Sequence, residues 1–117
     1  MTDIVLPWPP RELSGHSDKH FWRMRPIIAK HRDWAYKATL AADAFIDDNA
    51  EYDIRVIATF YPPDRRSDRV NLPTRLKPYW DGIADALKVN DRRFLPSYHF
   101  AEPVSDARVV ISIGEAA

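Results

Sequence analysis

Between Tyr61 and Phe94 the chain reads YPPDRRSDRVNLPTRLKPYWDGIADALKVNDRRF, with eight Lys or Arg against five Asp. Carboxylate oxygens are hard ligands of the kind Mg²⁺ takes, and arginine forks grip phosphate. Carboxylates set among arginines therefore suit a hydrolytic metal centre that must hold a polyanion. The expected chemistry is metal-dependent cleavage of a DNA phosphodiester, in which carboxylates converge on an ion that activates water and stabilises the leaving oxygen. Asp68 and Asp91 are the candidate ligands, because each stands beside arginines just outside an expected helix end. Spacing alone also allows each a structural role, Asp68 in a turn or cap and Asp91 in the loop after a helix. Asp81 and Asp85 share a helical face with Lys77 and Lys88. From that spacing the preferred reading is a solvated, ion-paired surface. Arg65, Arg66, Arg69, Arg75, Arg92 and Arg93 are the candidate DNA-binding residues.

The elements that must position these residues follow from periodicity. Asp3 to Leu6 is a short strand, stopped by Pro7-Trp8-Pro9-Pro10. Residues 11–25 are polar and read as a loop; His16 and His20 have helical metal-ligand spacing but no third ligand, and are read as surface histidines. Pro26 suits the first position of a helix. Behind it Ile27, His31, Trp34, Ala38, Ala41 and Phe45 recur at steps of three and four, which predicts a helix over 26–46 that ends at Asp47-Asp48-Asn49. Asp53 to Tyr61 alternates as a central strand, with Ile54, Val56, Ala58 and Phe60 on one side.

A second helix is expected from Asn71 as N-cap, with Leu76, Trp80, Ile83 and Leu87 as its buried stripe. Pro78 would clash with the carbonyl of Thr74, so the helix either kinks there or follows a separate single turn. The distinction matters, because one straight helix over 72–87 would hold its ends about 24 Å apart. Asp68 and Asp91 could then share a metal only through a break, most plausibly at Pro78, or through a site built by two subunits. Ser97 to Glu102 is a weak strand and Arg108 to Ile113 a strong one, joined by an expected hairpin at Pro103–Asp106. Tyr98, His99 and Phe100 could offer a general base, although a strand histidine among aromatics is more often packed. The order strand, helix, strand, helix, strand, strand predicts a single α+β domain, one small mixed sheet with two packed helices.

With 117 residues, 45% hydrophobic and 29% charged, the chain has the composition of one ordinary globular domain. Its charge is zero overall but uneven, with +4 over residues 11–37, −4 over 38–61 and +3 over 62–93. Two basic tracts could form one phosphate-binding surface if folding brings them together. The absence of cysteine excludes disulfides and thiolate zinc and fits a reducing cytoplasm. No stretch has the length and apolarity of a membrane span, and the N-terminus lacks a signal-peptide pattern. There is no Gly-rich phosphate loop, Gly-x-Ser-x-Gly elbow or His-Glu-x-x-His motif.

In order along the chain, LPWPP, the strand ending in YPPDRR, Asp-x-x-Asn-Leu, the helix Asp-Gly-Ile-Ala-Asp-Ala-Leu and the closing Asn-Asp resemble the RusA family of Holliday junction endodeoxyribonucleases. That family is common in phages and prophages. The resemblance implies a homodimeric, Mg²⁺-dependent enzyme (Mn²⁺ being an alternative ion) that resolves four-way DNA junctions by paired incisions in recombination and repair. The family pattern is Arg-Asp-x-Asp-Asn-Leu with a later Asp-Asp. Asp68 matches its first catalytic aspartate and Asp91 the second of the later pair, while the middle aspartate falls on Val70 and Asn90 replaces the remaining one. Lys77 is the nearest counterpart of the catalytic lysine, and Arg75 the next. Arg11-Glu12-Leu13 stands where the family has Ser-x-Asn. Asp81 or Asp85 would have to supply the oxygen lost at Val70. Without it, the resemblance implies a weakened or noncatalytic relative that binds branched DNA.

Overall fold

The computed structural model describes residues 2–14, 21–46 and 53–114. Four strands form one sheet: β1 (Thr2–Pro7), β2 (Ile54–Tyr61), β3 (Phe94–Phe100) and β4 (Arg108–Ile113), in the order β1-β4-β2-β3. Two helices, α1 (Phe21–Ala41) and α2 (Lys77–Leu87), complete the expected α+β order. Period-two alternation places Ile54, Val56, Ala58 and Phe60 on the core side, all fully buried. In register with them stand Ile113, Ile111 and Val109 of β4, and beyond these Ile4 and Leu6 of β1. Among the described residues no helix is long and apolar enough to cross a membrane.

The expected hairpin before β4 is instead a crossover. β3 runs parallel to β2 at the sheet edge, and β4 inserts antiparallel between β2 and β1. Residues 101–107 pass the end of β2, where Ala101 and Val104 donate their N–H groups to the carbonyls of Phe60 and Pro62. A short Pro-rich connection resembles a hairpin turn locally; the pairing of β4 with β2, from Tyr61 opposite Arg108 to Val56 opposite Ile113, is invisible in it. β3 also begins at Phe94 rather than Ser97, because parallel pairing with β2 starts at Ile54 opposite Phe94.

α1 likewise departs from its expected span. It begins at Phe21 rather than Pro26, which lies in its second turn, and it ends at Ala41, followed by Asp43 in the left-handed region at φ 54°. The buried side is rotated from the expected stripe, with His31, Ala35 and Thr39 buried while Trp34 and Ala41 are exposed. Phe45, past the helix end, is 82% exposed and Ile46 is buried instead. The cause lies on α2. A Cβ at Gly82 would overlap the Arg32 carbonyl oxygen and stand 3.0 Å from the Ala35 Cβ. The two helix backbones therefore touch, and such a seam selects Ala35 and Thr39 over a bulky Trp34. The buried Thr39 hydroxyl is satisfied by donating to the Ala35 carbonyl at 2.7 Å. The histidine pair at 16 and 20 and the acidic stop at 47–49 lie outside the described residues.

Candidate active site

The segment between Asp68 and Asp91 is broken into two pieces. Leu72–Leu76 forms a 3-10 turn, and α2 begins at Lys77 with Pro78 in its first turn. There the missing N–H costs nothing, whereas a continuous α-helix would drive the Pro78 ring into the Thr74 carbonyl. Leu76, Trp80, Ile83 and Leu87 are buried as expected, and Lys77 and Asp85 are exposed. Asn71 was the expected cap, but its side chain caps nothing. Asp68 takes that part: its carboxylate accepts from the Val70 N–H at 3.1 Å and the Asn71 amide at 2.6 Å, and its carbonyl accepts from the N–H groups of Asn71 and Leu72.

Past α2, Lys88 closes the helix in the left-handed conformation at φ 58°. The chain then returns beside the helix. The Asn90 side chain accepts from the Arg92 N–H at 3.0 Å and fixes a short turn over Asp91–Arg93. This brings Asp91 to the first turn of α2, where Lys77 Nζ lies 2.5 Å from its Oδ2 and 2.9 Å from Asp81 Oδ1. The Lys77 hydrogen bond holds the Asp91 carboxyl below the usual carboxylate range. Reciprocally, Asp91 and then Asp81 raise the Lys77 ammonium. One ammonium thus sits between two carboxylates at the surface.

Asp68 belongs to a different place. It lines a groove of about 1050 Å³ between the 11–13 turn, the start of α1 and the 66–75 loop. Arg11, Arg23, Arg66 and Arg75 also face that groove, with Glu12. Arg75 is anchored there, donating from Nε to Ser14 Oγ at 3.1 Å and from Nη1 to the Pro9 carbonyl at 3.3 Å. Burial, and then the charge of Arg11, lower its guanidinium from the ordinary arginine value. Among the described residues no three His, Asp or Glu side chains gather closely enough to hold a metal ion by themselves. The structure thus brings Lys77, Asp81 and Asp91 together and leaves Asp68 outside that cluster.

The other expected DNA-binding residues are scattered. Arg65 is paired with Glu102 at 2.5 Å and Arg66 with Asp64 at 3.4 Å, while Arg69 and Arg92 are exposed and Arg93 is half-buried. His99 is exposed on the sheet face away from the helices rather than packed. Val70, at the position of the family's middle aspartate, is 85% exposed. Arg23 was missed as a site residue; its only signal was membership in the basic tract over residues 11–37.

No family model matches the sequence. An uncharacterized protein of Xylella fastidiosa (strain Temecula1) is 36% identical over 116 residues, spanning 97% of this chain and 76% of the relative. The chain belongs to one family with that protein. The relative's description names no activity, so the chemistry must be argued from the side chains.

Proposed function

We propose that the chain is a Mg²⁺-dependent endonuclease of branched DNA, resolving four-way junctions, with Lys77, Asp81 and Asp91 at its catalytic centre. The observation that carries this reading is the single ammonium held between two carboxylates on the segment that resembles the junction nucleases. Asp81 and Asp91 already accommodate one positive charge between them, and their oxygens are of the type Mg²⁺ takes from one or two carboxylates, with waters and substrate phosphate completing its shell. When bound, the ion supplies an activated water and neutralises charge on the phosphate. Lys77, displaced from between the carboxylates, would be free to hold a phosphate oxygen. Asp81 thereby stands in for the carboxylate that the pattern loses at Val70. Asp68 orders the loop that leads to the centre.

A labelled four-way junction incubated with Mg²⁺, Mn²⁺ or EDTA tests the proposal. Paired incisions with either ion and none with EDTA are expected; intact junctions under all three conditions would sink it. The second reading, a noncatalytic branched-DNA-binding relative, is favoured by the apolar Val70 and by the lack of a third converging carboxylate. Tight junction binding without incision would select it.

A further inference from the structure

We propose that the groove around Arg75 is a binding site for the phosphate backbone of a nucleic-acid strand, with Arg11 and Arg23 as its anchors. This rests on the DNA reading above for the class of ligand, but not on the cutting chemistry. Four guanidinium groups, of Arg11, Arg23, Arg66 and Arg75, line the groove against two carboxylates, Glu12 and Asp68. Of the other described arginines, Arg32 pairs with Asp85, Arg65 with Glu102 and Arg108 with Asp106, and within the groove Arg66 pairs with Asp64. Arg11, Arg23 and Arg75 make no such ion pair among the described residues. Arg75 is instead fixed by two neutral acceptors, which orient its fork without an ion pair, while Glu12 and Asp68 act on its charge only through space. Orientation without an ion pair is what an anion site requires, since the fork is preorganised and its charge is left for the ligand.

The occupant can be narrowed by size and position. About 1050 Å³ is at the upper end of small-ligand sites, roughly 300–1,000 Å³, and exceeds what a lone phosphate fills. The apolar side chains of Met24 and Ile27 give part of the wall a surface suited to a sugar or base. Asn71 and Arg75 of the groove belong to the turn that leads into Lys77. A strand seated in the groove would therefore run beside the segment that leads to the Lys77 cluster. The groove also joins the two basic tracts, Arg11 and Arg23 coming from one and Arg66 and Arg75 from the other.

The test is fluorescence anisotropy of a labelled four-way junction in EDTA, titrated with salt, on the full chain. Each phosphate contact contributes about −0.9 to the log–log slope on duplex DNA. Arg11→Ala and Arg23→Ala should each flatten the slope by about one unit, and the double variant by about two. Glu12→Gln should tighten binding, whereas Arg65→Ala, removing an arginine already paired, should leave the slope near the parent value. Arg11 and Arg23 are exposed and make no ion pair among the described residues, so both variants should melt with the parent. A parental slope in the double variant overturns the groove proposal while leaving the nuclease reading standing. Flattened slopes in a protein that binds but never cuts uphold the groove and overturn the nuclease. Failure of the parent to bind junctions at low salt overturns both. Competition by a mononucleotide equal to that of a strand, at matched ionic strength, would make the occupant a free nucleotide and overturn the strand.

Discussion

The two charged regions at either end of the 72–76 turn are built on opposite principles. At one end Lys77 is shared by Asp81 and Asp91, leaving that cluster with one excess negative charge. At the other, four arginines line the groove with two carboxylates, and one of the four, Arg66, is also paired with Asp64 beyond the lining, which still leaves an excess of positive charge. In the first arrangement helix geometry supplies only the Lys77–Asp81 pair, four residues apart; Asp91 joins it because the chain turns back after α2. The second assembles like charges from distant parts of the chain, which folding alone does not reward. The difference separates two jobs: a carboxylate pair suited to a cation, and a cationic groove suited to a polyanion.

The largest effect should come from breaking the first region alone. Asp91→Asn or Asp81→Asn should lower junction cleavage roughly a hundredfold or more, given that groups one layer outside metal ligands already cost about 10–100-fold. Junction binding should persist, in contrast to the groove variants. Parental cleavage by Asp91→Asn at saturating Mg²⁺ would remove the cluster from the chemistry. Mixing Asp68→Asn with Asp91→Asn chains sharpens the point: if each centre lies within one chain, mixed dimers should recover no nicking beyond that of the separate variants. Recovery would mean that Asp68 acts across a subunit boundary.

Next comes the seam that holds the two regions in register. α1 carries Arg23 and α2 carries Asp81, and Gly82 is where they touch. Gly82→Ala must push the helices apart, at a cost of about 1–3 kcal/mol by urea denaturation. An unchanged midpoint would mean that the seam relaxes without penalty. Tyr79 makes a more selective tether, because its hydroxyl donates to the Pro7 carbonyl at 2.6 Å, next to the segment that holds Arg75. Tyr79→Phe should cost about 1 kcal/mol and weaken junction binding more than metal-dependent turnover.

The smallest effect concerns the stability contribution of the cluster itself. Lys77 and its partners face solvent, so Asp91→Asn should change folding stability at pH 7 by less than about 1 kcal/mol. The sign is fixed by linkage: the depressed Asp91 carboxyl stabilises the fold above its unfolded value near 3.9 and loses that contribution as pH falls through the folded value. The raised Lys77 stabilises below about 10.4 and loses its contribution as pH rises past it. The gap between parent and variant should therefore close toward pH 2, as followed by urea midpoints. A gap that persists there would assign Asp91 a role other than ion pairing.

Much of this was legible in the sequence where the cause is local. β2 was readable because alternation over eight residues registers its own burial, and the α2 stripe because three- and four-residue steps do the same. Pro78 announced a kink or a break, since its ring would clash with the Thr74 carbonyl in a straight α-helix. The Lys77–Asp81 pairing was visible as a spacing on one helical face. The rotation of α1 was not, because it depends on a glycine about fifty residues away. Nor was the crossover before β4, since a turn sequence does not name the strand it leads to.

By itself the sequence determined the α+β order, the core face of β2, an irregularity at Pro78 (kink or break) and the residue types available for metal and phosphate. Each of these depends on sterics or periodicity within a few residues. Tertiary structure alone decided that Asp91 returns to Lys77, that Asp68 faces a different partner set, and that Arg11 and Arg23 meet Arg75. The first and last of these juxtapositions bring together residues as far apart in the chain as Lys77 and Asp91, 14 positions, and Arg11 and Arg75, 64 positions. Their formation is set by how α1 and α2 pack on one face of the sheet, and no local pattern encodes that packing.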